Sequence, residues 1–306
     1  MEKNHYFCRE ICEKMVKTTF RTILYNAFEV LTCTLLLVSC QQTTDKTGKQ
    51  ANGEVKTEDT KKASKTIRQH VKYSGTFYQI TNIGSPDIVF TQGPYNIEAE
   101  GPEELVNKLS VGVDQNVLTV NMKNEEKIDL TQYKTMSDRL TLYISCPTIK
   151  TIAMCGTGGF HAVGTIESDN LQLGILGTGS IKADTISTGD LSLDITGDGD
   201  AQLGQATVEN NAILTLSGQG HTACSIDAGQ DVTVDCNSKC QIDLNGKAKQ
   251  LNLHITDQAN CNVDFDADQL LVEAIDGNIF AKGNYKKKII HNSGNAKVFQ
   301  QNGGKN

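Results

Sequence analysis

The sequence predicts an all-β fold, a right-handed β-solenoid of about 20-residue coils, and three observations predict it. The first is a recurring turn. Gly156-Thr157-Gly158, Gly177-Thr178-Gly179, Gly197-Asp198-Gly199 and Gly218-Gln219-Gly220 follow one another at a step of about 20 residues. The second is strand alternation after each turn. With the last residue of each triplet as an anchor, the frame runs Gly158, Gly179, Gly199, Gly220, then Ser238, Ala259, Gly277 and Gly294. Small or apolar residues stand two and four positions on, as in Ile181 and Ala183, Ala201 and Leu203, Cys240 and Ile242, Cys261 and Val263. The residues between them are mostly polar, such as His161, Lys182, Gln202 and Asn262, so one face points in and the other out. The third is a second alternating run before each turn, as in Leu171, Leu173 and Ile175, or Leu191, Leu193 and Ile195.

A unit of about 20 residues cannot bury its own apolar face, so each coil must stack on its neighbours. Stacked strands lie about 4.8 Å apart, and each buried Ile, Leu or Val contributes about 1.5–3 kcal/mol. Glycine at Gly156, Gly158, Gly177, Gly179, Gly197, Gly199, Gly218, Gly220, Gly277 and Gly294 marks the repeat turns, where the chain bends sharply and coils approach closely.

The region before the coils, from Val71 to Lys150, also reads as β and is expected to cap the rod. Phe77 to Phe90 supplies strands that end at Gln92-Gly93-Pro94, and Tyr95, Ile97 and Ala99 alternate with polar residues. Gly101-Pro102-Glu103-Glu104 opens a short helical turn, with Pro early and acids at the positive end. Leu105, Val106 and Leu109 would pack that turn on the sheet. Val111 and Val113, Val117 to Met122, and Leu140 to Ser145 are further strands, while Ile128 to Asp138 has no periodicity and reads as an extended loop.

The chain start has a different character. Val30 to Val38 is an apolar run of signal-peptide length, too short for a stable span, with Lys14, Lys17 and Arg21 as its positive flank. Leu37-Val38-Ser39-Cys40 resembles the bacterial lipobox, which implies cleavage before Cys40 and lipid on its thiol and amine. The competing reading is an ordinary signal peptide with a chance cysteine. The leader is long and Glu29 adjoins its core, so Met1 to Lys14 reads as a start-site overextension, with Met15 the natural start. Gln41 to His70 is polar, with Val55 and Ile67 its only aliphatics larger than Ala, and reads as a flexible tether. The expected division is therefore a signal peptide over 1–39, a lipidated cysteine and disordered tether over 40–71, the solenoid over 72–299, and a polar tail over 300–306.

Composition agrees with this division. The 306-residue chain has no Trp and only 38% hydrophobic residues, which suits a narrow solenoid core. Its formal net charge of -7 and the lack of a basic face argue against a nucleic-acid partner.

Several runs in order carry a family resemblance. They are Phe77-Tyr78-Gln79-Ile80, Asp87-Ile88-Val89-Phe90-Thr91-Gln92-Gly93, Tyr95 to Gly101, Leu118-Thr119-Val120, Leu142 to Pro147, and the first Gly156-Thr157-Gly158. Together they resemble the family called putative auto-transporter adhesin, head GIN domain, over about Lys72 to Phe299. The resemblance implies a β-solenoid on a secreted or lipid-anchored envelope protein, and no established activity. Gln300 to Asn306 is polar and offers no closing membrane-barrel strand, so auto-transport is not expected.

Candidate chemistry is sparse. Cys224, Cys240 and Cys261 fall on the inward frame, and the frame sets Cys240 and Cys261 at the same place in adjacent coils. They read as a ladder of buried thiols, with a disulfide between them as the alternative. Cys236-x-x-x-Cys240 lacks the second pair or His that a zinc site needs, so no metal is expected. Asp194, Asp198 and Asp200, and further on Asp227, Asp231 and Asp235, read as solvated turn carboxylates, because calcium β-rolls need a short repeat absent here. His161 and His221 read as surface histidines.

These residues point to a lipid-anchored outer-membrane protein of the cell envelope, with no cofactor. Its rod would present outward rows such as Lys182, Asp194, Gln202 and Asn252 as a passive binding, adhesive or structural surface for a glycan or protein. The alternative is a carbohydrate-active enzyme, a polysaccharide hydrolase or lyase, on the same scaffold. Hydrolysis would want paired carboxylates, for which Asp198 and Asp200 are the candidates, in a cleft. The shortage of aromatics makes a sugar-stacking cleft hard to build, so no enzyme is expected.

Overall fold

A computed structural model describes residues 65–123 and 139–302. The expected signal peptide, Cys40, most of the expected tether, the loop expected over Ile128 to Asp138 and the end of the expected tail lie outside the described residues. The fold is nearly all β, a solenoid of about eight turns with parallel stacked coils. The entry region holds β1 (Thr66–His70), β2 (Gln79–Gly84), β3 (Asp87–Gln92) and β4 (Asn96–Pro102). Helix α1 (Glu103–Lys108), β5 (Leu109–Asp114), β6 (Val117–Met122) and β7 (Thr141–Cys146) complete it. The stack begins with β8 (Thr151–Gly156), β9 (Gly159–Gly177), β10 (Ser180–Thr196), β11 (Asp200–Val208), β12 (Ala212–Ser217) and β13 (His221–Ala228). It continues through β14 (Asp231–Cys236), β15 (Gln241–Ile255), β16 (Asn260–Ala274), β17 (Asn278–Gly283), β18 (Tyr285–Asn292) and β19 (Lys297–Asn302).

Two parallel ladders form the main walls. The first runs through β6, β2, β8, the ends of β9 and β10, β12, β14, the ends of β15 and β16, and β18. The second runs through β7, β3, the starts of β9 and β10, β11, β13, the starts of β15 and β16, β17 and β19. The turns read from the sequence join the first wall to the second. A narrower third wall stacks Thr165–Ser168 on Thr185–Thr188, then Gln205–Val208 and Ser225–Ala228. Its corner is a bulge, seen as a register shift between Ala183 and Thr185.

The walls close on one core. Ile181, Ala201, Thr222, Ile242, Cys261 and Ile279 form a single inward row, and all are buried. Size is balanced along the rows. On the third wall Phe265 lies between Gly246 and Gly283, where a Cβ on either glycine would run into the backbone of the coil before it. Phe265 can therefore fill space that its neighbours leave.

The entry region is wound out of order. Coil β2–β3 pairs with β8 and β9 on one side, with Gln79 opposite Thr151 and Ile88 opposite Phe160. On its other side lie β6 and β7. The chain therefore lays down the second coil first, builds the outermost one from β6 and β7, and returns past β2–β3 to start the stack. Beyond these, β5 runs antiparallel on β6, β4 on β7, and β1 on β4. Helix α1 buries Leu105 and Val106 and carries the expected acids in its first turn; its basic end, Lys108, pairs with Glu104 at 2.7 Å. Phe77 is fully buried against the rings of Tyr73 and Tyr95.

Three sequence expectations are corrected here. Thr66 to His70, read as the last part of the tether, forms β1, because Arg68 ties the strand to Glu98 at 2.7 Å and Glu100 at 3.1 Å. Gln300 and its neighbours, read as the start of the tail, continue β19 on β17. The frame also slips by two residues in two coils. His221 stands opposite Gln241 and Asn278 opposite Lys297, so the true anchors are Cys240 and Ala296 rather than Ser238 and Gly294.

Candidate functional surface

The turns are the most constrained part of the stack. Gly177 has a φ of 123°, a backbone shape that side chains resist, and a Cβ there would stand 2.7 Å from the Gly156 carbonyl oxygen. Gly199 sits equally close to the coil below it, 2.7 Å from the Gly179 carbonyl oxygen by the same measure. The other predicted turn glycines, Gly156, Gly158, Gly179, Gly197, Gly218, Gly220, Gly277 and Gly294, also pack against the backbone of the preceding coil. These ten residues let the coils approach closely.

Tight turns leave backbone N–H groups without a ladder partner, and aspartates of the neighbouring coil take them. The Asp198 carboxylate accepts the Gln219 N–H at 3.1 Å, and Asp200 accepts that of His221 at 2.7 Å. Asp190 serves Asn211, Asp266 serves Asn284 and Asp276 serves Asn295 in the same way. Of the carboxylates read as solvated, Asp198 and Asp200 are exposed and also act as braces, each reaching about one coil along. The sequence signal was an Asp about 20 residues before some of the turns, as Asp198 before Gln219 and Asp276 before Asn295, but it has meaning only once the register is known.

The outward rows carry paired polar groups. His161 Nε2 lies 3.1 Å from Asp184, and His221 Nε2 lies 2.7 Å from Asp243. The His161 hydrogen bond, helped by the Gly164 N–H, holds the Asp184 carboxyl below its ordinary value. At Asp243 the Asn262 amide, at 2.8 Å, lowers the carboxyl most, and His221 adds to it. Asp235 pairs with His254 at 2.7 Å, and Asp227 with Lys247 at 3.3 Å. Lys182 and Gln202 are exposed as expected. Asp194 is half-buried beside Ser192, and its carboxyl is raised by burial. Asn252 departs from expectation: it is buried, donates to Thr233 at 3.3 Å and accepts from Gln250 at 2.7 Å, so it offers nothing to a ligand.

Cysteine placement is partly as read and partly not. Cys224, Cys240 and Cys261 are all buried in the core. The stacking of Cys240 on Cys261 is overturned by the two-residue slip, because Cys261 stands opposite Ile242. Cys240 is bonded to Cys236 instead, across the turn Asn237-Ser238-Lys239. That disulfide takes the place both of the buried-thiol reading at Cys240 and of any metal reading of the pair. Burial pushes the thiols of Cys146, Cys224 and Cys261 up to about 12, so they stay protonated. Among the described residues no cluster of three His, Cys, Asp or Glu could hold a metal ion.

A concavity of about 800 Å³ lies on the third wall near its far end, with Ala228, Ala248, Ala267 and Tyr285 in its lining. Its two carboxylates are committed: Asp266 to Asn284, and Asp268 to Lys286 at 2.7 Å. One outward feature passed unnoticed in the sequence. Phe280 and Phe299 stack at 4.8 Å, nearly parallel, and about half of each is exposed. The two-residue slip at Gly294 hides their shared row in the sequence, and it emerges only when Asn278 is set opposite Lys297. Among the described residues no helix is long and apolar enough to cross a membrane.

Comparison with known proteins agrees with this architecture. A "putative lipid binding protein" from Parabacteroides distasonis ATCC 8503 shares 17% identity over 79% of this chain and 98% of its own, with a TM-score of 0.55. A "putative adhesin" from Parabacteroides merdae ATCC 43184 shares 15% over 78% of this chain and 97% of its own, with a TM-score of 0.51. A "putative adhesin" from Bacteroides fragilis NCTC 9343 shares 21% over 78% and 98%, with a TM-score of 0.47. No curated protein matches the sequence. The model of the family "Putative auto-transporter adhesin, head GIN domain" matches residues 76–229, a shorter span than the resemblance suggested, and the chain belongs to that family.

Proposed function

We propose that this chain is a lipid-anchored protein of the outer membrane whose solenoid acts as a rigid, passive binding or adhesive surface. The observation that carries this is the set of outward polar rows held in register by coil-to-coil pairs, such as Asn278 to Asn260 at 3.0 Å and Lys282 to Asp264 at 2.8 Å. Repeating rows can meet an extended glycan or protein through many weak contacts without any moving part. The adhesin and lipid-binding descriptions of the relatives support a binding role over a catalytic one. Asp198 and Asp200, the candidates of the enzyme alternative, each accept a backbone N–H of the next coil, which supports a bracing role for them over a catalytic one.

The test is a glycan and host-protein array probed with the full chain. Saturable binding that weakens when Lys182 and Gln202 are changed to Ala is expected. Turnover of a polysaccharide with no such binding would reverse the assignment. For the anchor, Cys40→Ser should abolish incorporation of labelled fatty acid and release the protein from the membrane fraction.

A further inference from the structure

The two ends of the stack are finished differently. At the entry end the outermost strands are antiparallel additions, and β1 is short, charged and almost wholly exposed. At the far end β18 and β19 pair on one side only, and no described strand meets their outer edges. Edge strands of this kind invite pairing unless lysines guard them. β18 is guarded by Lys286, Lys287 and Lys288, whereas β19 reads Lys-Val-Phe-Gln-Gln-Asn, with its one lysine at the start.

The open hydrogen-bonding groups of β19 can be assigned. Lys297 N–H donates to the Gly277 carbonyl at 2.9 Å, so Lys297, Phe299 and Gln301 bond inward to β17. Val298 and Gln300 therefore turn their N–H and C=O outward, away from β17. Phe299 points to the outer surface, one ring face on Phe280 and the other facing past the end of the stack. A partner that used both features would be a strand carrying an aromatic ring on the same row.

β19 itself is such a strand. We propose that β19 is a docking edge for β19 of a second copy of this chain, paired antiparallel about a two-fold axis. With Phe299 opposite its own counterpart, Val298 and Gln300 exchange hydrogen bonds across the axis. Lys297 then faces Gln301 of the other copy, so no lysine meets a lysine. The aromatic row becomes four rings long, and the second wall runs unbroken from one copy into the other. An interface of one short strand is small, so the dimer is weak and concentration-dependent.

The experiment is sedimentation velocity on the full chain over a concentration series. Wild type is expected to shift from monomer to dimer. Gln300→Pro removes an outward N–H and no bond to β17, and it should abolish the shift while circular dichroism stays unchanged. Phe299→Lys should weaken the dimer by roughly tenfold or more. Mixing Phe299→Lys with Phe299→Glu chains should give a mixed dimer tighter than either variant forms alone, which a purely structural role for Phe299 could not produce. A chain that stays monomeric throughout, a dimer indifferent to Gln300→Pro, or a mixture that fails to pair would each overturn the proposal.

Discussion

The stack and the entry region are made of the same short strands, yet they are assembled by opposite rules. From β8 onward each coil lies on the one just synthesised, and paired residues such as Ile181 and Ala201 are about 20 apart in sequence. In the entry region Gln79 pairs with Thr151, and β6 and β7 are threaded outside a coil that was laid down before them. Stability in a stack of near-neighbour contacts is close to a sum of coil and interface terms, so damage there stays local. The entry region closes long loops before any contact rewards it, so it should form late and fail as a unit.

The seam between the two is where the difference can be tested most severely. Phe160 opens the first regular coil, stands opposite Ile88, and stacks on Phe90 at 5.9 Å. Phe160→Ala should cost about 3–5 kcal/mol in chemical denaturation. Hydrogen exchange should show β2, β3 and β7 losing protection together while β14 to β16 keep theirs. Uniform loss along the whole chain would mean that the two regions are one cooperative unit.

A change inside the stack should behave otherwise. Gly197→Val forces a side chain into a φ of 112° and against the Gly177 carbonyl. The expected cost is about 2–3 kcal/mol, with lost protection confined to the coils on either side.

The same division explains what could be read from the sequence. Alternation and turns were legible in the stack because each coil repeats the last, and the inward row from Ile181 through Ala201 to Thr222 follows directly. The slip at Ser238 and Gly294 was not legible, because a shift of two residues leaves every side chain on the same face. It misplaced Cys240 by one pair and hid the bond to Cys236. The threading of β6 and β7 outside β2 and β3 leaves no local trace at all, since strands look alike whichever neighbour they meet. β1 was missed because Arg68, Gln69 and His70 read as solvated spacer until Glu98 and Glu100 stand opposite them. The surface was the least legible part: Asp198 and Asp200 are ordinary turn residues until the next coil's N–H groups are placed against them.

Removing one brace should sharpen the contrast at a smaller scale. Asp200→Ala strips the His221 N–H of its acceptor at an exposed turn, where water can partly replace it. The expected loss is about 0.5–1.5 kcal/mol, detected as faster exchange at His221 with the entry region unaffected.

The smallest effect is one of sign, and it separates the regions by pH. Asp243, on the stack, is held below the ordinary carboxyl value of 3.8 by Asn262 first and His221 next. Its stability is present above that value and lost as pH falls through the lowered one. Asp87 joins the entry region to the stack, accepting the Gly159 N–H at 2.8 Å with Arg139 at 3.2 Å. Burial nevertheless raises its carboxyl above 3.8, outweighing both partners. Its contribution is fully present below 3.8 and is lost as pH rises through the raised value. The stability difference between wild type and Asp243→Asn should therefore shrink on acidification, while that between wild type and Asp87→Asn should grow. Because Asp243 is well exposed and screened by solvent, its slope should be the shallower of the two. Parallel slopes in the two series would show that burial at the seam does not outweigh Arg139, and that the entry region is bound to the stack by charge rather than by packing.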